Sequence, residues 1–318
     1  MRQAEDRLPV VTVNVFPGGF NWGLYVGRDR GFFAKHGIAV EIQDTPDSVS
    51  QMTNFSQGRF DIAMTGVDNI VAYVEGQGQA PIGPQPEFFA FMGSDSAFLS
   101  LVTSADVADI ASLRGRTLSV DAITTGYAFV LYDIMRRHGL DKDKGHYAIV
   151  GAGGMVQRWT ALREGRHDGT LLSAPYNLIA KSAGFREHAK AVDVIGPYQG
   201  NVGAARRSWA YSNSDKIVAY IRGYRDSIAW LYDTLNLGTA VEILRRNIPQ
   251  MTQDVARSSY SELLARPGGF FPTCEISAQG LDCVLELRER YAQPSKALGT
   301  AEKYCDLSFL KAAQQPTQ

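Results

Sequence analysis

The chain states its plan twice. Near residues 55–72 a helix-like run ends in Gly58-Arg59-Phe60-Asp61, followed by the apolar Ile62-Ala63-Met64, the loop Thr65-Gly66, and Asn69 at the head of an apolar segment. Near residues 161–180 the same order returns as Gly165-Arg166-His167-Asp168, then Leu171-Leu172, the loop Ser173-Ala174-Pro175-Tyr176, and Asn177 before another apolar segment. In each copy the glycine supplies the left-handed backbone that stops a helix, and the acidic residue opens the next strand. The likeness extends upstream. Residues 32–38, with His36-Gly37, lead into an alternating run at 39–42, and residues 134–140, with His138-Gly139, lead into residues 147–150. Each half also opens on a strand-like run, at 10–16 and 117–121. Strand, helix, strand, helix, strand, twice over, predicts right-handed βαβ units around a mainly parallel sheet in each half.

The halves are joined in an unusual way. Residues 88–102 hold two apolar runs around Gly93-Ser94-Asp95-Ser96, which reads as a passage between lobes; residues 192–200 read as the return. The second half is therefore inserted into the first. Lobe one is expected over 1–94 and 200–318, lobe two over 95–199, with the two passages forming a hinge. At about 150 residues per domain, 318 residues fit two lobes. Past residue 213 the apolar spacing turns helical. Helices are predicted over 215–236, 239–247, 252–264 and 277–291, with Ser277 as an N-cap, and this tail is expected to pack back on lobe one.

Composition excludes several classes. Thirty-two basic against 33 acidic residues leave a net charge of −1, without the field that nucleic acid or an anionic membrane demands. With 45% apolar and 20% charged residues the chain is neither disordered nor collagen-like. Apolar runs such as residues 70–74 are far too short to span a bilayer. The polar start, Met1 to Asp6, does not read as a signal peptide, so the chain is expected either to begin after a removed leader or to be cytosolic. Three cysteines, Cys274, Cys283 and Cys305, cannot form a closed disulfide set; either one Cys274–Cys283 bridge or three thiols fits. No Cys/His spacing suggests a metal, and no motif suggests a cofactor.

In sheets of this kind ligands bind beyond the carboxyl ends of the strands, where helix N-termini aim free N–H groups. Five loops fall there: Pro17 to Gly23, Thr65 to Asn69, Ala122 to Tyr127, Gly151 to Trp159, and Ser173 to Tyr176. They nominate Phe20, Asn21, Trp22, Thr65, Asp68, Asn69, Thr124, Thr125, Tyr127, Arg158, Ser173 and Tyr176 as ligand-binding candidates, with Asp95 facing the cleft from the hinge. Thr124-Thr125-Gly126-Tyr127 offers hydroxyls and a dipole end suited to a carboxylate or sulfonate, while Arg158 could pair with an anion or be paired within its own lobe. Aromatic residues at the same loops suit stacking on a planar body. Catalytic constellations do poorly. Gly151 to Gly154 lacks the spacing of a nucleotide loop, no Gly-x-Ser-x-Gly occurs, and His36 and His138 are explained as helix C-caps.

Several further motifs carry a family resemblance: Gly31-Phe32-Phe33 with Gly37-Ile38-x-Val40, Gly58-x-x-Asp61-Ile62-Ala63, Ile110-x-x-Leu113-Arg114-Gly115-Arg116-Thr117-Leu118-x-Val120, and Ala161-Leu162-x-x-Gly165-x-x-Asp168. In this order they resemble the solute-binding proteins of ABC importers with the type-II periplasmic binding fold, in the branch of sulfonate-, nitrate- and taurine-binding and NMT1/THI5-like proteins. The resemblance implies two α/β lobes on a two-segment hinge, closing on a small-molecule ligand and docking as a monomer on membrane permease subunits. It places ligand contacts at Asn21 and Trp22, Thr65 and Asn69, Thr124 to Tyr127, and Ser173 and Tyr176, and implies a periplasmic setting. An enzyme of the same fold is the alternative, a decarboxylase or thiamine-precursor type acting on a small aromatic or heterocyclic acid. Relatives of that kind use a cysteine-rich motif or a cysteine in the first half, whereas the first cysteine here is Cys274.

Overall fold

A computed structural model describes residues 8–83, 86–266 and 268–315. Its strands are β1 (Val10–Val15), β2 (Ala39–Asp44), β3 (Ile62–Gly66), β4 (Phe88–Gly93), β5 (Ser100–Thr103), β6 (Thr117–Val120), β7 (Ala148–Gly151), β8 (Gly169–Leu172), β9 (Arg186–Lys190) and β10 (Asn201–Arg206). They form two five-stranded sheets, ordered β2-β1-β3-β10-β4 and β7-β6-β8-β5-β9, one topology written twice. β1 lies parallel between β2 and β3, and β6 between β7 and β8. β10 and β5 run antiparallel to both their neighbours, so each sheet is mixed. The chain's path explains this. Each antiparallel strand is the one arriving from the other lobe, and it enters against the direction of the βαβ units.

The repeated motif has a local cause in both lobes. Gly58 and Gly165 sit at φ 71° and 70°, the left-handed turn that ends the preceding helix. Three residues on, Asp61 Oδ2 accepts from Thr12 N at 2.8 Å and Thr12 Oγ1 at 2.9 Å. Asp168 Oδ2 likewise accepts from Thr117 N at 2.8 Å, and its Oδ1 from Arg116 at 2.9 Å. The carboxylate that opens β3 thus clasps the start of β1, and the one that opens β8 clasps the start of β6.

Two passages connect the lobes, and Asp95 ties them together. Its Oδ1 accepts from Ala97 N at 2.8 Å and Asn201 N at 3.1 Å, its Oδ2 accepts from Asn201 Nδ2 at 3.1 Å, and its carbonyl accepts from Gly200 N at 2.9 Å. A Cβ on Gly200 would lie 2.2 Å from Ala97 N, so only glycine lets the passages approach this closely. Ala97 and Phe98 turn through φ 74° and 54° as the chain crosses. Residues 192–195, expected within the return passage, instead belong to a short helix, Ala191–Ile195, and the passage itself is residues 196–200.

The tail helices form close to where the spacing places them: Ser214–Tyr232, Leu237–Asn247, Gln253–Leu263 and Ala278–Tyr291. Ser277 Oγ caps the last, accepting from Gly280 N at 3.1 Å. Packing on lobe one alone is not what the tail does. Ser214–Tyr232 lies along Trp22–Asp29 and Phe32–Lys35, but Ala278–Tyr291 touches both Val67–Val74 of lobe one and Gly126–Arg137 of lobe two. One face of that helix explains the double contact, because Leu281, Val284, Leu287 and Arg288 are all buried. The three cysteines are free thiols, and no Cys274–Cys283 bridge forms.

Candidate ligand-binding site

The carboxyl ends of β1, β3, β6 and β7 meet across a cleft between the lobes. Phe16 and Phe20 follow β1; Gly66, Asp68 and Asn69 come from the end of β3 and the helix Val67–Val74. From lobe two, Asp121, Thr125, Gly126 and Tyr127 follow β6, and Gly154, Met155 and Arg158 follow β7; Asn201 begins β10. The space between these walls, counted together with the open solvent at its mouth, is about 540 Å³.

The lobes touch around this space. Gly154 N donates to Pro46 O at 2.9 Å across the gap. A Cβ on Gly19 would lie 2.5 Å from Ala174 O, and one on Gly126 2.5 Å from Asp68 Cγ, so only glycine lets the lobes approach this closely at these two points. The strongest link is Arg288, a tail residue with none of its surface exposed. Its Nε and Nη2 each donate to Asp68 at 2.6 Å, its Nη1 to Gln77 Oε1 at 3.2 Å, and its Nη2 also to Thr124 O at 2.9 Å in lobe two. Its guanidinium lies 4.9 Å from the Phe129 ring centroid, again in lobe two. Arg288 is therefore shared between the lobes.

Six of the nominated residues come together on the cleft wall: Phe20, Asp68, Asn69, Thr125, Tyr127 and Arg158. The other seven lie behind or beside it. Thr65 is buried and accepts from Asn69 Nδ2 at 2.9 Å, bracing that residue. Asn21 donates through Nδ2 to Phe16 O, and Thr124 offers its carbonyl to Arg288. Trp22 is fully buried in lobe one, donating to Ala240 O at 3.0 Å and meeting Tyr260 edge-on. Ser173 Oγ contacts Met155 Sδ at 3.1 Å, and Tyr176 is packed in the core. Asp95 is the hinge tie already described. A strand-end loop has two sides, and the apolar side goes inward; this is why Trp22 and Tyr176 sit in the core.

Arg158 is 2% exposed; its Nη1 donates to Leu171 O at 2.7 Å, and its Nε has no hydrogen-bond partner among the described residues. Burial lowers its pKa, against the opposing pull of the Asp121 charge. Asp121, not nominated from the sequence, has one buried oxygen without a partner, and burial raises its carboxyl despite Ser48 and Arg158 nearby. Burial also pushes the Tyr127 hydroxyl upward, so it stays protonated. Thr125 Oγ1 turns to Ala122 O at 2.9 Å, leaving the first N–H groups of Gly126–Arg137 without a side-chain cap. Asp121 was legible as the last residue of a strand-like run, the position that faces a cleft. Arg288 lies 220 residues from Asp68 and carries no local signal.

Known proteins resemble the chain in family and in fold. The family model described as NMT1/THI5 like matches residues 21–234. The Bacillus subtilis protein YtlA is 29% identical over 116 residues, 36% of this chain and 34% of that protein, so the match spans about a third of that relative's length. A ligand-binding component of an ABC-type import system from Staphylococcus aureus superposes with a TM-score of 0.77 at 14% identity, over 96% of this chain and 99% of that one. The periplasmic nitrate-binding protein NrtA from Synechocystis PCC 6803 gives 0.78 at 11% identity, over 97% and 88%. Both have the fold found here.

Proposed function

The chain belongs to the NMT1/THI5-like family, and from that premise we propose that it is the solute-binding component of an ABC import system. It captures a small organic solute, anionic and part-aromatic, between two closing lobes and delivers it to a membrane permease. In this reading lobe one comprises residues 1–94 and 200–318, and lobe two 95–199. The observation that carries the proposal is Arg158, a buried cation with an unpaired donor in a cleft walled by aromatic rings. Leaving a buried donor unmatched costs roughly 1–3 kcal/mol, and a bound anionic group removes that cost. The uncapped start of Gly126–Arg137 adds ~0.3–1 kcal/mol for negative charge. Phe16, Phe20 and Tyr127 would hold the apolar body. Closure then buries the ligand and presents the permease with a shape that the open form lacks, so affinity and conformation are linked.

The test is native mass spectrometry of freshly purified protein, followed by thermal shift and X-ray scattering with the recovered compound. The expected result is a compound returned unaltered, about 2.7 kcal/mol of stabilisation at a hundredfold excess over Kd, and a smaller radius of gyration when bound. A chemically altered product supports the enzyme alternative instead. A radius that does not change on binding overturns capture by closure.

A further inference from the structure

Three charged side chains line the cleft: Asp68, Asp121 and Arg158. Asp68 is already matched, with both oxygens on Arg288 at 2.6 Å. One acid and one base remain. Among the described residues these two form no ion pair with each other; Arg158 turns to Leu171 O, while Asp121 Oδ1 and Arg158 Nε are both buried without partners. Facing them, Asn201 commits its Nδ2 to the Asp95 carboxylate and Asn69 its Nδ2 to Thr65 Oγ1. Each keeps its amide oxygen as an acceptor toward the cleft, and Asn69 keeps one N–H besides.

A simple anion matches Arg158, the uncapped start of Gly126–Arg137 and the Tyr127 hydroxyl, but it offers nothing to Asp121. It would also sit against the Asp121 carboxyl and two amide oxygens, groups that need donors. Resting on the binding reading above, we infer that the cleft takes an amphoteric aromatic solute, with an anionic end for Arg158 and an N–H donor for Asp121 and the Asn69 and Asn201 amide oxygens. The aromatic walls suit a flat body that holds the two ends apart, and a neutral lining after the Asp68–Arg288 pair is counted suits a ligand that is itself balanced.

Calorimetry on the full chain tests this with benzoate, aniline and ortho-, meta- and para-aminobenzoate as probes. One aminobenzoate isomer should bind at least about tenfold tighter than benzoate and aniline, a difference of roughly 1.4 kcal/mol. Asp121→Asn should shrink that preference below about threefold without weakening benzoate, and Arg158→Gln should weaken benzoate and aminobenzoate alike. Benzoate binding as tightly as the best isomer overturns the inference, as does a preference that survives Asp121→Asn or no binding by any isomer. The comparison within the wild-type chain needs no variant to fold. Benzoate equal to its amino derivatives, with the lobes still contracting on binding, removes the amphoteric assignment and leaves the capture reading standing. Chemical conversion of a probe removes the capture reading itself.

Discussion

Replacing Arg288 by methionine tests the coupling between tail and cleft most directly. The substitution keeps an unbranched apolar stem against Phe129 but removes a guanidinium that makes four hydrogen bonds, two of them to Asp68 at 2.6 Å. Asp68, itself buried, is left as an uncompensated charge. Breaking such a pair from one side costs about 3–5 kcal/mol. At about 2 °C per kcal/mol for a chain of this size, Tm should fall by roughly 6–10 °C. The double variant Asp68→Asn with Arg288→Met removes both charges and should regain a good part of that loss, because much of the single-variant penalty is the stranded carboxylate. Affinity should fall as well. The bond to Thr124 O joins the tail to lobe two, and a charged hydrogen bond of about 1.5–3 kcal/mol corresponds to a ten- to hundredfold weaker Kd. Urea titration gives the stabilities and calorimetry with the recovered ligand gives the affinities. A single Arg288→Met variant within about 0.5 kcal/mol of the wild type, with unchanged affinity, would refute the argument that Arg288 ties the tail to lobe two.

Other consequences are smaller but equally checkable. Gly19→Ala places a methyl 2.5 Å from Ala174 O, so the lobes cannot reach the same closed separation; Kd should rise by about tenfold or more while urea stability stays within about 1 kcal/mol, and equal affinity would show that this contact is not needed for capture. Burial would raise the Glu75 carboxyl, but hydrogen bonds from Lys296, Lys303 and Tyr304 outweigh it and hold it at about 2. Its folded pKa lies below the ordinary 4.5, so the stabilisation is present above about pH 4.5 and is lost as pH falls toward 2; Glu75→Gln should flatten that limb of a pH–stability curve. Burial pushes the Cys274 and Cys305 thiols up to about 12 and Cys283 to about 11. Iodoacetamide at neutral pH should therefore leave all three unmodified in the native chain and label them in urea, as read by mass spectrometry. Rapid native labelling of Cys274 would contradict its burial.

What the sequence could and could not reveal follows from the range of each interaction. The doubled order of glycine, aspartate and apolar strand was legible because the clasp it encodes is short-range in space and written into both halves. The helix start at Ser277 was legible for the same reason, since a cap lies three residues from the amide it satisfies. The direction of β5 and β10 was not, because it depends on how the chain crosses between lobes rather than on the strands' own residues. Loop positions indicated the cleft, and Phe20, Asn69, Tyr127 and Arg158 line it. Which side of each loop faces inward was hidden, so Trp22 and Tyr176, large and apolar, were nominated for a wall but are core. The hinge role of Asp95 and the shared position of Arg288 depend on partners more than a hundred residues away.

The manner in which the crossings end has a mechanical consequence. Each leaves one sheet from an edge strand, β4 or β9, and anchors in the interior of the other, at β5 or β10. A connection rooted between two neighbours transmits torque, whereas a loose tether would let its loads tumble. Asp95 pins the two shafts side by side, and under the proposed capture by closure this leaves a single axis of rotation for opening. Spin labels placed on opposite lobes should accordingly report two narrow distance populations, exchanging with occupancy, instead of one broad spread.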